Sequence, residues 1–258
     1  MKKKQLLASV LLCTSLLAVT GCGKEESQQN NQEQSSEQSI KKEEKKKNDD
    51  DYNREEDFII DNKTMTSPIN IDTKKTTKTD AKNKNDILLN INPHVSSIKT
   101  KGNTIEVKTT GEATINGRHY TLEGFHIHVP SVHTVDKKHY PAEIHFITKA
   151  HDGQYSVITV FANQGKENKA MTTIMKNLKE NKHEAIPYVQ TLFPNDMKHY
   201  YHYVGTLSTP QLSKEVAWYI MKSPIHFSKQ QLNELKAFYK TYDLPEQDQK
   251  NQLVEENQ

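Results

Sequence analysis

Apolar and polar positions alternate with a period of two through the middle of the chain. In "ATINGRHYTLEGFHIHV" apolar or aromatic residues flank Asn116-Gly117, the dipeptide that most strongly favours a tight hairpin turn. "AEIHFITKAHDGQYSVITVFAN" repeats the arrangement around Asp152-Gly153. Tyr120 to Val129, Glu143 to Lys149 and Gln154 to Ala162 are therefore predicted to be neighbouring antiparallel strands. The period then lengthens: Asn168 to Lys182 carries Ala170, Ile174 and Leu178 at helical spacing. A second helix is predicted from Ser228, which forms a capping-box pattern with Gln231, and it runs through Leu232, Leu235 and Phe238. The outcome is a mainly β (α+β) domain, an antiparallel sheet with peripheral helices.

Neither end of the chain carries this patterning. Met1 to Lys4 are basic, Gln5 to Val19 are largely apolar, and Val19-Thr20-Gly21-Cys22 follows at once. Residues 1–21 read as a secretory signal, too short and wrongly flanked for a spanning helix. Cys22 at its end makes it a lipoprotein signal. Lipidation of the Cys22 sulfur would anchor the mature chain to the extracytoplasmic face of a bacterial cell membrane. Residues 22–57, with runs such as "KKEEKKKNDDD", cannot bury enough apolar surface to offset ordering entropy and read as a solvated tether. A single domain is expected over 58–244, followed by a polar C-terminal tail at 245–258.

Composition narrows the partners. Cys13 leaves with the signal and Cys22 takes the lipid, so no intramolecular disulfide is expected. The net charge is only +2, and Arg54 and Arg118 are the only arginines, which argues against nucleic acid as a partner.

The candidate chemistry sits in "GFHIHVPSVHTVDKKHYPAEIHF", residues 124–146, which holds five histidines. Side chains two apart on a strand project from one face, so His126 and His128 stand about 6.5 to 7 Å apart at their bases. His145, on a strand that a short connection brings back beside the first, is the natural third ligand. Three protein ligands with an open fourth position describe a catalytic zinc site. A His-x-His pair in a strand serves equally well as the polar face of an amphipathic sheet, so the pair alone leaves both readings open.

The wider pattern resembles the α-class carbonic anhydrases. Phe125-His126-Ile127-His128, Ser131-Val132-His133-Thr134-Val135-Asp136 and Glu143-Ile144-His145 follow the zinc segment of that family. "SPINI" at Ser67 to Ile71 resembles its early signature, and "VGTLSTP" at Val204 to Pro210, Trp218 and "KSPI" at Lys222 to Ile225 resemble its late one. The resemblance implies a large central, mostly antiparallel sheet with Zn2+ at the bottom of a conical cleft. It implies His126, His128 and His145 as metal ligands, with Glu143 orienting one of them. Leu207, Val157, Ile147 and Trp218 would form the apolar wall for carbon dioxide, and Ser208 and Thr209 would lie beside the zinc-bound solvent. It casts His133 as structural, with His139 and His151 exposed. The implied function is zinc-dependent hydration of carbon dioxide to bicarbonate by a lipid-anchored surface protein.

Several positions depart from the family pattern. Val132 stands where a glutamate usually accepts from the gatekeeper hydroxyl, and Ser208 stands for the gatekeeper threonine. Asn103 occupies the place of a proton-shuttling histidine, and an amide cannot titrate near neutrality. Gly124 stands where a polar glutamine backs one ligand, and Gln211 replaces a proline. These departures motivate an alternative, a catalytically weak or inactive carbonic-anhydrase-like surface binding protein. A jelly-roll metal protein of the cupin type would require a Glu soon after the His pair and a later Gly-rich His motif, and neither is present.

Overall fold

The structure, a computed structural model, describes residues 67–79, 87–101, 104–206, 214–239 and 252–257. In chain order the strands are β1 (Asn70–Ile71), β2 (Thr77–Thr79), β3 (Ile87–Lys101), β4 (Thr104–Ile115), β5 (Arg118–His128), β6 (Thr134–Val135), β7 (Lys138–His139), β8 (Ala142–Ala150) and β9 (Tyr155–Gln164). Helix α1 (Lys169–Glu180) and a 3-10 turn (Val189–Leu192) follow, then β10 (Tyr200–Thr206), β11 (Lys214–Phe227), α2 (Lys229–Ala237) and β12 (Glu255–Asn257).

Local sequence accounts for most of these boundaries. Asn116 and Gly117 both have positive φ, 51° and 81°, as the hairpin between β4 and β5 demands. Between β8 and β9, Gly153 at φ 92° sends its N–H to the Ala150 carbonyl at 2.9 Å. Asn168 caps α1 by accepting from the Met171 N–H, and Ser228 and Gln231 form the expected capping box at the start of α2.

Nine strands make one sheet in the order β2-β12-β10-β11-β9-β8-β5-β4-β3. The three strands predicted as neighbours, β5, β8 and β9, are adjacent and antiparallel. The sheet is mixed, however, because β9 and β11 pair in parallel, as do β2 and β12. A parallel pair needs a crossover, and here the chain travels through α1 and β10 between β9 and β11.

The polar tail expected at 245–258 needs correcting. Glu255–Asn257 is a strand inserted between β2 and β10, anchored by the buried Val254. Its polarity hid it: Lys222 Nζ lies 2.5 Å from Glu256 Oε1, and the Thr76 hydroxyl donates to Glu256 Oε2 at 2.8 Å. Polar side chains that pair with neighbours can enter a sheet without an apolar alternation to announce them.

The two faces of the sheet have different covers. On one, Phe125, Ile127, Ile144, Phe146, Ile158 and Val160 pack with Ile174 of α1 and Leu235 of α2 in a continuous apolar core. On the other, Val157, Phe161, Tyr203, Trp218 and Ile220 pack with Ile69 and Ile71 in a smaller cluster. Strand alternation places the histidines of β5 and β8 on this second face.

Candidate metal centre

Register sets the site. His126 of β5 lies directly across from His145 of β8, and His128 lies across from Glu143. One step further across the sheet, His145 faces Thr159, Glu143 faces Phe161, and Ile147 faces Val157. Val157 in turn pairs with Trp218. The expected ligands and three of the expected pocket residues therefore occupy adjoining rows of one face.

The rows differ in exposure. His128 and His145 are buried, at 7% and 3% exposure, whereas the His126 side chain keeps 19%. The ring centroids of His128 and His145 lie 4.5 Å apart, and those of His145 and Trp218 lie 5.1 Å apart in a T-shaped contact. Val157 and Trp218 are buried and Ile147 is half-buried. The histidine rows are thus most exposed at the His126 end.

Glu143 organises the buried end. Its Oε1 accepts from His145 Nε2 at 2.7 Å and from His133 Nδ1 at 2.5 Å. Its Oε2 accepts the backbone N–H groups of Val132 at 2.7 Å and His133 at 2.9 Å. Burial alone would raise this carboxyl, but the charges and hydrogen bonds of His133 and His145 hold it well below the usual carboxylate range. Because the carboxylate takes the proton-bearing Nε2 of His145, the lone pair of that ring is on Nδ1.

His133, Glu143 and His145 offer ligand-type atoms that all lie within 4.8 Å of one another. This group is a hydrogen-bonded support and not an open ligand set. His133 is engaged at both nitrogens, since Nε2 lies 2.7 Å from the hydroxyl oxygen of Tyr203. That hydroxyl also sits 3.1 Å from Ser67 Oγ, which accepts the Thr206 N–H at 3.2 Å. The early block of the sequence joins the site in a second place, where Asn70 Oδ1 accepts from the Thr134 hydroxyl and the Lys137 N–H. His139 and His151 are exposed, as expected.

Burial lowers the His126 imidazole to about 4, with the neighbouring His145 adding to the effect. Burial likewise holds His128 well below its ordinary value and lowers His145 against the opposing pull of Glu143. All three rings are therefore neutral near pH 7, the form that ligates metals.

Leu207, Ser208, Thr209, Asn103 and Cys22 lie outside the described residues. Two groups of the site were missed in the sequence, Tyr203 and Glu106. Glu106 pairs directly with His126 across β4 and β5, and its Oε2 lies 3.7 Å from His126 Nε2. The available signal was a single acidic residue between two apolar ones in "TIEVK". Among the described residues no helix is long and apolar enough to cross a membrane.

The fold is mainly β, with three neutral histidines on one sheet face and a carboxylate behind one of them. The family described as eukaryotic-type carbonic anhydrase matches residues 49–257, and the chain belongs to that family, the α class. A carbonic anhydrase of Neisseria gonorrhoeae is 31% identical over 176 residues, which span 64% of this chain and 66% of that protein. Alpha carbonic anhydrase 5 of Arabidopsis thaliana is 33% identical over 156 residues, 56% of each chain. The chain thus spans less than two thirds of the length of these curated relatives. Among solved structures, the α-carbonic anhydrase of Thermovibrio ammonificans in complex with the inhibitor sulfanilamide superposes with a TM-score of 0.67 at 28% identity, covering 74% of this chain and 87% of that one.

Proposed function

We propose that the protein is a zinc-dependent carbonic anhydrase that interconverts carbon dioxide and bicarbonate, with His126, His128 and His145 holding the ion. The observation that carries this reading is the Glu143–His145 hydrogen bond, which fixes the His145 tautomer with Nδ1 available for a metal. Three neutral imidazoles on one face, with a fourth position left for solvent, suit Zn2+. When bound, the ion supplies a nucleophile from water at neutral pH and Lewis-acid stabilisation of the charge that develops on oxygen.

The chain's own residues do the rest. Glu143 holds His145, and His133 with Tyr203 holds Glu143, so the ligand is braced through a chain of buried hydrogen bonds. Ile147, Val157 and Trp218, with Leu207, offer the apolar surface that an uncharged gas prefers to water. Ser208 and Thr209 are assigned to orient the reacting solvent. Asn103 does not titrate near neutrality, so proton release falls to buffer or to a histidine. The lipoprotein signal read at Cys22 supports a location on the outer face of a bacterial membrane, where the reaction would supply or remove bicarbonate at the surface.

Zinc content of the purified protein and stopped-flow acidification on mixing with dissolved carbon dioxide test this, with His128→Ala as control. Stoichiometric zinc with activity that disappears in the control is the expected result. Zinc without activity would overturn it in favour of the surface binding protein.

A further inference from the structure

Glu106 is a buried carboxylate that the mechanism above does not use. Its side chain is 5% exposed, and it pairs across β4 and β5 with His126, the most exposed of the three proposed ligands. Lys101 Nζ at 3.4 Å and Lys99 Nζ at 3.7 Å approach it from the edge strand β3, but these lysines are 69% and 56% exposed. Burial opposes the charge, but Lys108 and Lys101 hold the Glu106 carboxyl below its ordinary value, so it stays ionised. Lys108, two residues along β4, is also exposed. The carboxylate is therefore buried and ionised, while its cationic partners are exposed to solvent.

The backbone leaves this spot to Glu106. Gly124 precedes His126 by two residues on β5, with φ +136°, and a Cβ there would come within 2.5 Å of the Val107 carbonyl oxygen. Position 124 cannot carry a side chain without moving the backbone of β4. Phe125 and Ile127 belong to the opposite face. The polar lining beside His126 thus comes from the neighbouring strand. Glu106 Oε2 lies 3.7 Å from His126 Nε2, so a carboxylate oxygen stands directly beside one proposed ligand nitrogen.

We propose that Glu106 is a selectivity residue of this centre, a fixed negative charge that disfavours anions at the open coordination position and leaves neutral carbon dioxide unopposed. The same repulsion would hasten loss of bicarbonate, the anionic product. This inference rests on the zinc reading above. Like-charge repulsion across a few ångströms in a partly desolvated cleft is large enough to move anion affinity by tenfold or more.

The test is thiocyanate binding to the Co2+-loaded protein, followed by visible absorption at one fixed pH, for the wild type, Glu106→Gln and Glu106→Ala. Chelator competition gives the metal affinity of each, and thermal melts of the metal-free proteins report folding separately. Both variants should bind thiocyanate at least about tenfold more tightly than the wild type and release metal more readily, because both lose the charge. Glutamine indistinguishable from the wild type would overturn the proposal by showing that a hydrogen bond matters and the charge does not. Unchanged thiocyanate affinity in both variants would overturn it as well. A wild type that takes up no metal would instead bring down the zinc reading, and this inference with it.

Discussion

The two faces of the nine-stranded sheet are held by different physics. The helix-covered face is a volume-filled apolar core in which Phe125 and Phe146 pack at 5.3 Å and Phe146 meets Phe193 at 4.8 Å. The histidine face has fewer apolar residues and is organised by directed contacts, with both oxygens of Glu143 each accepting two hydrogen bonds. The first face should respond to lost volume, and the second to lost protons and charges. Substitutions on one face should therefore leave the other face's readout intact.

The largest expected effect is on the polar face. His128→Ala removes one of three proposed ligands, so bound zinc should fall from stoichiometric to near background and carbon dioxide hydration with it. Metal analysis after gel filtration would check this, and full zinc retention would sever the two faces' proposed division of labour. Next in size is Phe146→Ala on the apolar face. Deleting a fully buried phenyl ring should cost about 3–5 kcal/mol of unfolding free energy by urea titration. The folded fraction should still take up zinc.

Glu143→Gln sharpens the contrast because it changes almost no volume. The amide NH2 would confront donors now satisfied by a carboxylate oxygen, such as the Val132 and His133 N–H groups. Zinc affinity should weaken by about 10–100-fold in chelator competition, as for the loss of an outer-sphere carboxylate. An unchanged affinity would mean that His145 does not depend on its brace.

A pH titration separates the faces without mutation. The His126 imidazole is lowered to about 4, and His128 and His145 are also lowered, while in the unfolded chain each titrates near 6.5. The unfolded state takes up protons first as the pH falls. Stability of the metal-free protein is thus complete above about pH 6.5 and is lost progressively toward pH 4, by at most about 1.4 kcal/mol per pH unit for each histidine. Urea midpoints that stay level between pH 7 and 5 would contradict burial of these rings as neutral species.

The same contrast explains what could be read in the sequence. Period-two alternation announced β5, β8 and β9 because each strand buries one face against the helices, Asn116-Gly117 announced the turn from β4 into β5, and Asp152-Gly153 announced the turn between β8 and β9. His126, His128 and His145 were legible because the strand period and a short return connection suffice to place them on one face. The parallel pairing of β9 with β11 was not legible, since nothing local records which distant strand a crossover returns to. β12 was hidden because its stability comes from partners some 180 residues away, such as Thr76 with Glu256. Tyr203 and Glu106 were hidden for a related reason. Each is one polar residue in an otherwise ordinary strand, and its importance lies in what stands opposite.

The smallest effect lies at the helical cover of the apolar face. Ser228 accepts the Gln231 N–H at 3.1 Å, and the Gln231 side chain returns to the Ser228 N–H and also binds the Asn168 carbonyl. The start of α2 is thus tied to the N-cap of α1. Ser228→Ala removes one acceptor and should cost about 1 kcal/mol by urea titration, while zinc content and thiocyanate affinity stay at their wild-type values. A loss of metal from so distant a cap would show that the two faces are coupled through the sheet. Equal metal binding with the expected small destabilisation would show that the helices stabilise the platform without tuning the site.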